Sequence, residues 1–169
     1  MFTSVVLVAL TSFVAHEEMA VRPSWLKDYG IAAEQGTAQQ KPLAVFIGTG
    51  ETGWDEVSKD GSLGRGAKEL LMAHYVCVYL DASKEEGRRL AKAFAVNEGM
   101  GLVLSDRTGK LQAFHHDGEL NATDLEKVLR RYSDPERVAT TTETREDLRP
   151  RPPRPAQPVY HYAPVTRSC

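Results

Sequence analysis

The run Leu43–Ile47 (LAVFI) is wholly apolar and partly β-branched, with Lys41-Pro42 before it and the glycine-rich GTGETG after it. It is too short for a buried helix and long enough for a strand. With no polar alternation along it, the strand needs cover on both faces, as in the sheets of α/β proteins. Gly48–Gly53 reads as a loop. Trp54–Lys59 reads as the start of a helix that Asp60-Gly61-Ser62 interrupts. Junctions of this kind, strand to loop to helix, are where open α/β sheets commonly bind ligands.

The other elements follow from spacing. Pro23-Ser24 predicts a helix entry with Ser24 as N-cap, and Trp25, Tyr29, Ala32 or Ala33 and Gly36 recur at helical spacing toward Gln40. Gly66–His74 is a helical piece with Leu70 and Leu71 inward, and His74 ends it, where a cation suits the dipole. Tyr75–Leu80 (YVCVYL) is a second buried strand. Asp81 and Ser83 stand at its carboxyl end, with Ser83 placed to cap the helix Lys84–Ala95. In that helix Leu90, Ala91, Phe94 and Ala95 share one side and Arg88, Arg89 and Lys92 the other, a solvated face. Gly101–Ser105 (GLVLS) is a third strand, Asp106-Arg107-Thr108-Gly109 a hairpin turn, and Lys110–His115 a half-exposed antiparallel edge. Asn121 caps Ala122–Tyr132, whose inward stripe is Leu125, Val128, Leu129 and Tyr132. The first strands are joined by crossovers long enough to make them parallel; the last pair is a hairpin.

A chain of 169 residues accommodates one such domain with tails. MFTSVVLVALTSFVA carries no charged side chain and has the length of a signal-peptide core, with Ala15 and Ala20 as small residues for cleavage outside a full A-x-A pattern; a buried first strand or an uncleaved anchor is the alternative. The expected division is a signal peptide over 1–20, a domain over 21–134 and a Pro-rich disordered tail over 135–169. Of nine prolines only Pro23 and Pro42 precede residue 134, which gives the tail polyproline II character. The leader implies export to the periplasm or beyond. With 21 Lys+Arg against 23 Asp+Glu, nothing global draws the chain to nucleic acid or to an anionic membrane. A mean hydropathy of −0.38 excludes a multi-pass membrane protein, and no stable span is expected after leader removal.

This order of elements, with KPLAVFIG, YVCVYLDASKEEGRRLAKAFAV and GLVLSDRTGKLQAF in sequence, resembles the thioredoxin-like fold over residues 24–133. The chain also resembles short exported thioredoxin-like proteins of planctomycete-type bacteria. The resemblance implies an α/β three-layer sandwich: a central mixed sheet of about four strands, helices on both faces, and a C-terminal β-hairpin plus helix. It also implies where an active site would lie. In the family, the loop after the first central strand carries Trp-Cys-x-x-Cys at a helix N-terminus, where dipole and backbone N–H groups favour a thiolate. Aligned on Leu43–Ile47, those positions fall near Thr52, Gly53, Trp54 and Asp55. No sulfur is present there, and a Thr hydroxyl neither ionises as a thiol does nor forms a disulfide. Asp55, close to the helix start, would suit the dipole and repel an incoming thiolate. The facing loop, which in the family holds a cis-proline, reads Asn97-Glu98-Gly99-Met100-Gly101. A cis bond without proline costs about 2.5–4 kcal/mol, so trans is expected and Gly99, Met100 and Gly101 form a reshaped edge.

The remaining chemistry-bearing residues point to no reaction. Cys77, among Val76, Val78 and Tyr79, reads as a small buried hydrophobe with a raised pKa, and Cys169 as a tail thiol. Gly48, Gly50 and Gly53 match a dinucleotide-binding loop in spacing alone; no Lys-Ser/Thr follows and Glu51 would oppose phosphate, so no cofactor is expected. His115 and His116 are adjacent on a strand and point to opposite faces, so with Asp117 they read as surface polar residues leading into a turn, and no metal is expected. The favoured reading is a redox-inactive domain with a binding or structural role and no catalytic residue. Its protein partner would be met through Thr49–Asp55 or the Pro-rich tail. The alternative is a thiol–disulfide oxidoreductase-type protein acting through one cysteine, Cys77 or Cys169.

Overall fold

The computed structural model describes residues 22–55 and 57–145. The expected signal peptide and the segment from residue 146 onward, Cys169 included, lie outside them. The chain order is β1 (Trp25–Leu26), α1 (Tyr29–Gln39), β2 (Leu43–Gly48), α2 (Arg65–His74), β3 (Val76–Asp81), α3 (Glu85–Ala93), β4 (Gly101–Ser105), β5 (Gln112–Asp117), α4 (Ala122–Tyr132) and β6 (Glu143–Thr144). The strands form one sheet in the order β1-β3-β2-β4-β5-β6. β2 and β3 run parallel, while β4 is antiparallel to β2 and β5 antiparallel to β4.

Two cores lie on opposite faces of this sheet, because successive strand residues point to opposite sides. Leu43, Val45 and Ile47 of β2 join Val76, Val78 and Leu80 of β3 against Ala32 of α1 and Ala91 of α3. Ala44, Phe46, Cys77 and Tyr79 face the other way, against Leu71 of α2 and Leu125, Val128 and Leu129 of α4. Every residue of β2 is buried, as its apolar composition predicts. On the first face α1 comes close enough that a Cβ on Gly36 would sit 2.8 Å from Leu43 Cδ2 and 3.0 Å from the Lys41 carbonyl, so only glycine fits there.

Several expectations change. The first helix begins at Tyr29, not at Ser24. Its N-cap is Asp28, whose Oδ1 accepts from Ile31 N at 2.9 Å, and Trp25 instead pairs in the sheet with Cys77. No helix follows Trp54: residues 52–55 and 57 lie in turns, Asp55 Oδ1 accepts from Leu63 N at 3.1 Å, and Ser58 bridges to Leu120. The carboxylate expected near a helix start therefore closes a loop. Ser83 does not cap α3; its N–H and hydroxyl both bond back to Asp81.

β5 is not an edge strand. β6 pairs with it in parallel at Phe114 and His115, so the folded domain runs past residue 134 to Arg145. Glu143 holds this strap in place. Its Oε2 accepts from Arg131 at 2.8 Å and from the Tyr132 hydroxyl at 2.6 Å, and its Oε1 from Arg137 at 2.5 Å. Arg145 pairs with Asp124 at 2.7 Å, and the Thr142 hydroxyl donates to the Gln112 carbonyl at 2.7 Å. Arg107, in the β4–β5 turn, donates to the carbonyls of Gln40 and Ser133, where α1 and α4 end and a cation is favoured.

Candidate functional site

The loop Gly48–Asp55 leaves the carboxyl end of β2 in a fixed shape. Gly48 and Gly53 touch backbone to backbone: a Cβ on Gly48 would lie 2.6 Å from the Gly53 carbonyl oxygen, and one on Gly53 would overlap the Tyr79 hydroxyl and Thr49. Gly50 stands at φ +82°, a conformation open to glycine at little cost. Both polar groups of Gly50 are tied to β3. Its carbonyl accepts from the Tyr79 hydroxyl at 2.7 Å, and its N–H donates to Asp81 Oδ1 at 3.1 Å. Asp81 also takes the Ser83 hydroxyl at 2.6 Å and the Ser83 N–H at 3.0 Å. The Ser83 hydroxyl bond, ahead of the backbone donors and Lys84, holds the Asp81 carboxyl below its usual range. Asp81, expected only to end a strand, thus anchors the loop.

Trp54 packs more than it projects. Its half-buried ring stacks on Trp25 at 5.3 Å and meets the edge of Tyr79 at 5.2 Å; Trp25 in turn meets Phe46 at 5.0 Å. β1 thus supplies the ring under the loop, and Trp25 needs a strand position to do so. Thr52 is exposed, Gly53 buried and Asp55 half-buried. The exposed part of the loop is Thr49 to Thr52, a short polar surface on a rigid base. The cleft beside it measures about 120 Å³ and is rimmed by Lys27, Glu51, Lys84 and Glu86, of both signs. Ligand pockets usually measure about 300–1,000 Å³, so this cleft is small for enclosing a substrate.

Gly99, Met100 and Gly101 lie next to this loop by register, because Gly101 pairs with Ile47, one residue before Gly48. The described peptides are all trans. The segment is fixed by Asp117, whose carboxylate accepts from the N–H groups of Asn97 and Glu98 at 3.1 Å. His115 Nε2 bonds the Ala95 carbonyl at 3.0 Å and His116 Nε2 that of Glu119 at 3.1 Å. The His-His-Asp run is therefore a tether for the neighbouring loops. Nothing in the sequence flags Asp117, because its partners lie some twenty residues away in the chain and offer only backbone.

Cys77 sits in the middle of β3, 4% exposed, opposite Ala44 and Trp25. Burial pushes its thiol up to about 12, against a smaller opposing effect of Lys41. It stands five positions before the Ala82–Ser83 turn and is remote in register from Gly48, which pairs with Asp81. Among the described residues no three His, Cys, Asp or Glu side chains are grouped to hold a metal. Nor is any described helix long and apolar enough to cross a membrane.

Three layers, a β2–β3 parallel pair, an antiparallel β4–β5 hairpin and a glycine-rich loop after β2 define the class. The fold is thioredoxin-like. A thioredoxin from Thermus thermophilus, solved in solution, matches with a TM-score of 0.53 at 18% identity, over 64% of this chain and 85% of that one. A DsbH oxidoreductase matches with a TM-score of 0.49 at 22% identity, over 63% of this chain and 82% of that one. No protein-family model matches the chain. No curated protein matches it either.

Proposed function

We propose that this chain is an exported thioredoxin-fold domain without thiol–disulfide activity, of the short bacterial kind that pairs a signal peptide with a Pro-rich tail. It serves as a binding module, and the partner meets the exposed rim Thr49–Thr52. One observation carries the reading: the loop after β2 holds Thr52-Gly53-Trp54-Asp55, with no sulfur and no helix N-terminus behind it. A thiolate at this place would lack the backbone donors that stabilise one. Internal bonds to Tyr79 and Asp81 hold the loop in one shape, which lowers the ordering cost of binding a protein partner.

The test is dithiothreitol-driven insulin reduction by the full chain. The expected rate is the uncatalysed one. Clear turnover overturns the reading, and turnover abolished by Cys77→Ser or Cys169→Ser establishes the single-thiol alternative. Capture from the native envelope tests the binding half: Glu51→Arg, on an exposed position, should abolish capture with an unchanged melting temperature. Equal capture by that variant refutes the loop as the contact.

A further inference from the structure

The β5 border of the sheet is closed by the strap, and the strap's last residue lies beside a histidine. β6 pairs with β5 in parallel, Phe114 with Glu143 and His115 with Thr144. One step further along the same register, Arg145 comes level with His116. Residues level with each other on parallel strands share a face of the sheet, and these two meet α4. Arg145 Nη2 reaches Asp124 at 2.7 Å, and His116 Nε2 reaches the Glu119 carbonyl, just before α4, at 3.1 Å. A carbonyl only accepts, so Nε2 carries the hydrogen, and an imidazolium makes that bond as well as a neutral ring does. Protonation therefore leaves the Glu119 tether in place and sets a second cation beside Arg145.

The charges around the ring are committed elsewhere. On β5, His115 bonds the Ala95 carbonyl and Asp117 the Asn97 and Glu98 N–H groups, both on the opposite face. β4 brings only Leu102 level with the ring. Glu143 of β6 is gripped by Arg131, Tyr132 and Arg137, and Asp124 of α4 holds Arg145. The side chains of Glu119 and of Glu98, beside Gly118, are exposed. Arg145 is the weaker hold of the strap. Its pair with Asp124 is exposed on both sides, at 32% and 28%, and such pairs contribute little in water. Asp124 also keeps the Asn121 amide at 2.9 Å when Arg145 leaves. We propose that His116 and Arg145 form an acid-sensitive latch: a neutral His116 leaves the strap closed, and a charged one drives Arg145 off Asp124 and lifts residues 144 and 145 from β5. Glu143 keeps the other end fastened, so the latch alters how the chain past Arg145 leaves a domain that stays folded. Burial, with Arg145 and His115 adding to it and the Glu119 carbonyl and Asp117 opposing it, lowers the pKa of His116 from 6.5 while the strap is closed. The open strap binds the proton more readily, so opening grows as pH falls through 6.5 and levels off below the closed-state value.

Two-dimensional NMR of the full chain from pH 8 to 5 tests it, with the His116 ring and the Thr144 and Arg145 amides followed together. The strap amides should move from strand toward coil positions along the titration of the ring, while the amides of β2 stay in place. The open-to-closed ratio should rise by at most about tenfold per pH unit, the limit for one proton. His116→Gln, which keeps an N–H for the Glu119 carbonyl, should hold the strap closed down to pH 5. Arg145→Gln should bring the His116 midpoint up toward 6.5, since linked sites act on each other reciprocally. That second variant keeps the test open if His116→Gln folds poorly. Strap amides that stay still, that move equally in His116→Gln, or that move together with β2 each overturn the latch. So does a His116 midpoint that Arg145→Gln leaves unchanged.

Discussion

Replacing Trp54 by alanine removes the ring that joins the loop to β1 and β3. Trp54 contacts Trp25 face to face at 5.3 Å and Tyr79 edge-on at 5.2 Å. Aromatic pairs contribute about 0.5–1.5 kcal/mol each beyond area burial, so the two together give about 1–3 kcal/mol. A large aromatic side chain buries about 150–250 Å² in full. At half burial, roughly 100 Å² at about 25 cal/mol per Å² adds about 2.5 kcal/mol. Partial collapse of the site and residual burial in the unfolded chain reduce both contributions, so the expected loss is about 2–4 kcal/mol. Trp54→Phe keeps an edge contact and part of the area, and should lose about 1 kcal/mol. Thr52→Ala, on the exposed rim, should stay within about 0.5 kcal/mol of the parent. The assay is urea unfolding followed by far-ultraviolet circular dichroism, since the substitution removes a fluorophore. A loss below about 0.5 kcal/mol for Trp54→Ala would show that the ring does not fasten the loop, and the rigid-rim reasoning would fall with it.

Two further outcomes follow from the tethers. Asp117→Ala removes a carboxylate that takes the Asn97 and Glu98 N–H groups, and hydrogen bonds to charged groups contribute about 1.5–3 kcal/mol. On this half-exposed site the expected loss is about 1–2 kcal/mol, with faster amide exchange at residues 97 and 98; unchanged exchange refutes the tether. Burial, with Arg145 and His115 adding to it and the Glu119 carbonyl opposing it, lowers the pKa of His116 from its ordinary 6.5. The unfolded chain thus binds the proton more readily, so His116 contributes full stability above pH 6.5 and loses it as pH falls toward the lowered native value. Urea midpoints measured from pH 5 to 8 should fall on the acid side, and His116→Asn should flatten that fall; a parallel fall in the variant refutes the assignment.

β2, β3 and β4 were legible because their apolar runs are short and bounded by turn residues; β5 was legible as the half-exposed return of the hairpin, though it runs over Gln112–Asp117 and not Lys110–His115. α4 was legible from Asn121 through its inward stripe to Tyr132. What failed was competition between equally plausible partners. Trp25 has helical spacing with Tyr29, but its ring is placed by Trp54 and Phe46, contacts that no local pattern reveals. Trp54–Lys59 looked helical until the Asp55 carboxylate went to Leu63 N. The strap was invisible for another reason. Thr140–Arg145 is polar and without periodicity, and it is held by Glu143, gripped by Arg131, Tyr132 and Arg137, with Arg145 on Asp124 and Thr142 on the Gln112 carbonyl. In the loop after β2, the residue types are plain in the sequence, while the bonds of Gly50 to Tyr79 and Asp81, which fix its shape, depend on β3 alignment and not on neighbours in the chain.

The two shortest strands cover the two borders that β3 and β5 would otherwise present. A sheet border with unpaired N–H and C=O groups is a template on which another chain can polymerise. β1 lies along β3 at Cys77 and Val78, and β6 lies along β5 at Phe114 and His115, so the middle of each border is already occupied. The strap past residue 134 is therefore a solubility device as much as a structural one. A fragment cut at the composition boundary would keep both cores and bare the β5 border, and self-association would be the consequence of that cut.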